Sequence, residues 1–183
     1  MTHPTTPVIL KANHLDVEMR AATPGDVPLL LAFIRKMAEF EKLAVSASEE
    51  SLHAALFGEA PAARALFACV DGKPVGYMTY FFSFSSMNGR RALWLDDLFI
   101  EPAFRGQGIG KVLMAYMADV AVRNQCARFE WIVLDWNTDA VEFYKRLGAD
   151  ILPDWRICML RGEQLKRVAS TLVVSPDTSV DTA

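Results

Sequence analysis

The sequence predicts a mixed α/β domain built on one sheet, and three observations carry that reading. An apolar strand, Leu93 to Ile100, passes through the turn Glu101-Pro102-Ala103-Phe104 and a glycine-rich run, Arg105 to Lys111, into an apolar helix. A second strand followed by a helix comes next, Phe129 to Trp136 and then Asp139 to Leu147. Ahead of both stand strands joined by short turns, the signature of hairpins.

Element by element, Met1 to Asp16 carries Pro4, Pro7 and three threonines with no sustained period, so a flexible extension is expected over 1–16. Val17 to Ala21 alternates as a strand. Thr23-Pro24 supplies an N-cap and a first-turn proline for a helix to about Phe40, with Val27, Leu30, Leu31, Ile34 and Met37 as its core stripe. Ser46 to Phe57 reads as a second helix, capped by Ser46 or Ser48 and stopped by Gly58. Ala65–Val70 and Val75–Ser85 are strands around Asp71-Gly72-Lys73-Pro74, and Met87-Asn88-Gly89-Arg90 turns into the central strand. Gly108 to Asn124 is a helix with Ile109, Leu113, Met117 and Val120 on one face. After the fourth helix and Gly148, a late strand is expected over Ile157–Arg161, a short helix over Glu163–Ala169 and a loose tail over 170–183.

Composition narrows the function. The chain has 183 residues, 52% hydrophobic and 22% charged, with net charge −3. That fits one globular domain and argues against a nucleic-acid partner, whose binders carry a basic face. Cys69, Cys126 and Cys158 make neither a disulfide framework nor a zinc spacing, and the three histidines form no cluster, so no metal is expected. No apolar run approaches a membrane span and no signal peptide opens the chain, so a cytoplasmic location is expected.

The run Arg105-Gly106-Gln107-Gly108-Ile109-Gly110-Lys111 places unpaired backbone amides at the positive end of a helix, a ready site for phosphate. It lacks the Lys-Ser/Thr ending of a P-loop and the acidic ribose partner of a Rossmann fingerprint. The run by itself leaves open whether it binds a ligand or turns the chain.

Together with Leu134-Asp135-Trp136-Asn137 and Ala140-Val141-Glu142-Phe143-Tyr144-Lys145-Arg146-Leu147-Gly148-Ala149, that run resembles the two-part acetyl-CoA signature of the GNAT N-acetyltransferases. Glu39 to Leu43, Tyr77 to Phe81, Leu95-Asp96-Asp97 and Asp135-Trp136-Asn137 resemble its diamine branch, which acts on spermidine, spermine or thialysine. The resemblance spans 17–169 and implies the GNAT fold, in which two central strands splay apart. It also implies acetyl-CoA as cosubstrate, a small amine as acceptor and a homodimer.

Residue by residue, the resemblance implies a cofactor site of Leu98, Phe99 and Ile100 along the strand edge and Arg105, Gly106, Gln107, Gly108, Ile109, Gly110 and Lys111 around the diphosphate. Asn137, Thr138, Asp139, Ala140 and Tyr144 would form the opposite wall. Phe40, Glu41, Asp96, Asp97, Glu130, Trp131 and Ile132 would line the acceptor site. Tyr144 would be the general acid for the departing thiolate. Asp96 stands where the branch has a glutamate base; being one methylene shorter, it leaves direct proton abstraction, a water relay and ammonium binding open. Strand alternation lets only one of Asp96 and Asp97 face a given cleft. Glu130 reads equally as a strand-edge salt bridge. The implied reaction is direct transfer in a ternary complex; another acceptor (aminoglycoside, amino acid or protein lysine) or a non-catalytic acyl-CoA-binding module are the alternatives.

Overall fold

The structure, a computed structural model, describes residues 7–172. Six strands form one sheet in chain order: β1 (Val8–Ala12), β2 (Leu15–Ala21), β3 (Arg64–Val70), β4 (Lys73–Ser85), β5 (Arg90–Ile100) and β6 (Phe129–Glu130). Every pairing is antiparallel except β5 with β6, which is parallel. The helices are α1 (Val27–Glu41), α2 (Glu49–Phe57), α3 (Ile109–Arg123), α4 (Thr138–Arg146) and α5 (Glu163–Ala169). The chain divides into two compact units, Met1–Val141 and Glu142–Ala183.

Local chemistry sets most boundaries. Ser48 accepts the Ser51 amide at 3.1 Å and caps α2. Thr23 and Asp26 exchange hydrogen bonds ahead of α1, and the Asp26 carboxylate also accepts from both terminal nitrogens of Arg20, Nη1 at 2.8 Å and Nη2 at 2.7 Å. Lys42, with φ 58°, ends α1 in the left-handed region.

The core lies where α1 meets one face of the sheet. Leu30 and Phe33 pack with Ala65, Phe67, Cys69, Tyr77 and Phe99, and the Phe33 ring stands about 6 Å from those of Phe67, Tyr77 and Phe99. Burying each large side chain here is worth roughly 1.5–3 kcal/mol. Of the expected stripe, Ile34 and Met37 are only partly buried, and Phe33, outside it, is among the best buried. The face expected of α3 is buried in full: Ile109, Leu113, Met117 and Val120.

Three expectations need correction. Of the loose extension expected over 1–16, the part from Val8 is an edge hairpin, in which β1 pairs Val8↔Met19 through Ala12↔Leu15 and Asn13 (φ 51°) makes the turn; residues 1–6 lie outside the described residues. The fifth strand, expected over Phe129–Trp136, holds its ladder only at Leu93↔Phe129 and Trp94↔Glu130. Residues 131–136 then leave β5 and lose the pairing that defines a strand, which is the splay that the resemblance implies. Ile157–Arg161 is not a strand. The tail expected from Ser170 lies, from residue 173, outside the described residues.

Among the described residues, no helix is long and apolar enough to cross a membrane, and no cluster of His, Cys, Asp and Glu could hold a metal.

Candidate active site

Beyond Trp94 no β6 residue pairs with β5, so the edge carrying Leu98, Phe99 and Ile100 borders the opening between the two strands. Below it, Pro102–Phe104 makes one 3₁₀ turn and the chain enters the glycine run. Gly106 (φ 74°) and Gly108 (φ 86°) both sit in the left-handed region that glycine adopts freely. Gly108 is the N-cap of α3, and the Asn13 side chain lies 3.1 Å from where a Cβ would stand. The first i→i−4 bond of α3 runs from Val112 N–H to Gly108 O at 3.3 Å. The amides of Ile109, Gly110 and Lys111 therefore precede the helical ladder and point out of the helix end. Such a crown of amides with two Cβ-free positions fits a diphosphate.

Arg105 does something the sequence did not announce. Its Nε donates to Ile100 O at 2.9 Å, and its guanidinium carbon lies 4.9 Å from the Phe40 ring centre and 5.6 Å from that of Phe99. The cation is therefore stacked between rings at the end of α1. Phe40 in turn meets Trp136 at 5.7 Å. Glu41, beside it, is half-buried, and burial raises its carboxyl above the usual range.

The acids on β5 owe their placement to a bulge. Thr79 faces Asp97 and Tyr80 faces Leu95, which leaves Asp96 without a partner in β4. One extra residue shifts the alternation by one position. Trp94, stacked on Phe81 at 6.1 Å, donates from Nε1 to Asp96 at 3.3 Å. Asp97 reaches Tyr77 and Thr79, on the face covered by α1. Both aspartates thus border one side of the sheet, where unbroken alternation would have separated them.

Their environments differ. Asp96 is exposed. Asp97 is half-buried, and its Oδ2 accepts from Thr79 Oγ1 at 3.0 Å and from Tyr77 OH at 3.2 Å. Tyr77 OH is also 3.4 Å from Met37 Sδ, but its single proton goes to the carboxylate, the stronger acceptor. Burial, then the neighbouring Asp96 charge, pushes the Asp97 carboxyl up to about 6, against the two hydrogen bonds; Glu41 adds to the rise. Burial and Asp97 hold the Tyr77 phenol far above its usual value, so it stays a donor.

The other expected residues divide. Glu130 accepts from Arg128 Nε at 2.5 Å and from Ser83 at 3.5 Å, so it is engaged in the strand-edge ion pair. Trp131 packs on Phe129 with ring centres 4.8 Å apart, and Ile132 is exposed. Asn137 caps α4 by accepting from the Ala140 amide at 3.4 Å; Thr138 and Asp139 are exposed in the first turn. Tyr144, in the second unit, is buried with its ring 5.2 Å from Phe143. Tyr77 and Thr79 carried no predicted role. Their sequence signal is that both lie in Tyr77 to Phe81, one of the stretches that resemble the diamine branch.

Residues 32–149 match the family described as "Acetyltransferase (GNAT) family". The chain is 39% identical to the thialysine N-epsilon-acetyltransferase of Bos taurus over 166 residues, covering 84% of this chain and 97% of the relative. It is 40% identical to the enzyme of the same name from Sus scrofa, with the same coverage. Among solved structures, an integron cassette protein from V. cholerae superposes with a TM-score of 0.69 at 28% identity, over 84% of this chain and 97% of that one.

Proposed function

Because the chain belongs to the GNAT acetyltransferase family, we propose that it transfers the acetyl group of acetyl-CoA to a primary amine of a small diamine, polyamine or thialysine-like acceptor, by direct attack in a ternary complex. The observation that carries this is the bulge on β5. It brings two carboxylates to one side of β5, with the Glu41 charge of α1 acting on Asp97, on the same strand whose far end leads into the amide crown of α3.

Bound acetyl-CoA supplies the activated acyl group. The amides of Gly106 to Lys111 hold its diphosphate, with Gln107 in the same loop and Lys111 adding charge. The open edge of Leu98, Phe99 and Ile100 pairs with the pantetheine amides as an added strand would. Asn137, with Thr138, Asp139 and Ala140, bounds the other side of the opening. Phe40 and Trp136 pack the acceptor's methylene chain, while Glu41, Asp96 and Asp97 attract its ammonium groups. An amine near a reference pKa of roughly 10.4 arrives charged and must lose a proton before it attacks. Tyr144 donates a proton to the departing sulfur. The reading takes the protein as a cytoplasmic homodimer acting on small molecules.

A panel of amines with acetyl-CoA, followed by release of free thiol, tests it. Turnover of thialysine or short diamines is expected. Binding of CoA with no amine acetylated would replace the enzyme reading with an acyl-CoA-binding module.

A further inference from the structure

Two adjacent aspartates on one face of a strand need not share a task, and their surroundings separate them. Asp96 is exposed and, among the described residues, accepts one hydrogen bond, from the Trp94 indole. Asp97 is half-buried and anchored across the strand pair, and both its hydrogen bonds fall on Oδ2. Oδ1 accepts none among the described residues. Resting on the acetyltransferase reading, we propose that the acceptor ammonium gives its proton to Asp97 rather than Asp96, and that Tyr77 and Thr79 are the positioning residues that fix this carboxylate with Oδ1 free.

The division of labour follows from elementary acid–base chemistry. A carboxylate raised toward the working pH by burial holds the transferred proton better and is the better base. Burial raises Asp97 in this way. The groups facing it are Asp96 on its own strand and Glu41 from α1, which favour the protonated form, and Tyr77 and Thr79 from β4, which favour the charged form. Asp96, in water, attracts the incoming cation.

In the step itself, an ammonium N–H bond breaks and an O–H bond forms at Asp97 Oδ1. The freed lone pair forms the C–N bond as the C–S bond breaks, and sulfur takes the Tyr144 proton. A second N–H proton leaves the new amide nitrogen for solvent and Tyr144 is reprotonated from solvent. Asp97 releases its own proton to water as the product leaves.

The test is kcat/KM against pH for the amine that the wild type turns over best. An acid limb near pH 6 is expected. Thr79→Val and Tyr77→Phe each remove a donor to the carboxylate, so the limb should move up by about one pH unit. Thr79→Ser should restore it. Asp96→Asn removes a like charge and should move the limb down. Asp97→Asn should abolish the limb and lower kcat by about 100-fold or more, with the KM for acetyl-CoA unchanged. If that variant fails to fold, the Thr79→Val and Thr79→Ser pair decides. Carboxyl-carbon NMR of the resting protein gives the Asp97 midpoint without any turnover, and Thr79→Val should raise it.

A limb that survives in Asp97→Asn and vanishes in Asp96→Asn would overturn the assignment, as would a Thr79→Val profile and midpoint identical to wild type. A wild type that acetylates no amine is a separate result: it removes the parent reading, and this one with it.

Discussion

Replacing Asp97 by Asn should make the protein more stable at neutral pH while disabling it. Burial and Asp96 lift the folded-state carboxyl from 3.8 to about 6. Two units at about 1.4 kcal/mol each give a cost on the order of 3 kcal/mol for keeping that carboxylate charged in the folded protein. The sign follows from proton counts. Between about pH 4 and 6 the folded state binds more protons than the unfolded one. This group's contribution is therefore full below about 4, falls as pH rises through 6, and stays low above. Asn is neutral throughout, and its side-chain oxygen still accepts from Thr79 and Tyr77. Relative to wild type, Asp97→Asn should gain about 2–3 kcal/mol in urea unfolding at pH 7.5, a gap that closes toward pH 4. Comparing two proteins that differ at one site cancels every other titrating group. An Asn variant less stable than wild type by the same margin at pH 4.5 and 7.5 would show that Asp97 is a structural acid, and the reasoning would fail.

Three further outcomes follow from other parts of the site and fold. Tyr144→Phe should reduce turnover far more than acetyl-CoA affinity; steady-state kinetics with wild-type kcat would remove Tyr144 from the chemistry. Gly108→Ala puts a Cβ at φ 86° and 3.1 Å from the Asn13 side chain. It should cost about 1–2 kcal/mol by thermal unfolding, and CoA affinity should drop about tenfold or more by calorimetry. Asp26, held well below the usual carboxyl range first by its hydrogen bonds to Arg20, stabilises above about pH 4 and loses that contribution as pH falls. Asp26→Asn should therefore cost about 2 kcal/mol at pH 7 and less than half of that at pH 2, read by denaturant titration.

The stretch from Leu93 to Arg123 was legible because each of its features is local. An apolar strand, a proline turn, glycines where φ turns positive and an apolar helical stripe are all written within that one continuous stretch. A serine cap for α2, narrowed to Ser46 or Ser48, and the bounds of α5 were legible for the same reason. What escaped depends on pairing. The bulge at Asp96 is a property of β4 and β5 together, since nothing in Asp96-Asp97 alone says which residue β4 will leave unmatched. Thr79 and Tyr77 became partners of Asp97 only through that register. Arg105 looked like a phosphate cation beside the glycines, yet Phe40 arrives from sixty-five residues earlier to stack on it. Val8–Ala12 was hidden because a short edge strand alternates over too few residues to outweigh nearby prolines. Phe129–Trp136 has strand composition throughout, but composition does not report where its neighbour diverges.

The most direct measurement is a crystal structure with CoA and an amine acceptor bound together. The account predicts diphosphate oxygens at about 2.9 Å from amides between Gly106 and Lys111. It also predicts the acceptor nitrogen within hydrogen-bonding distance of Asp97 Oδ1. A nucleotide bound away from the N-terminus of α3, or an acceptor nitrogen remote from both β5 aspartates, would contradict it.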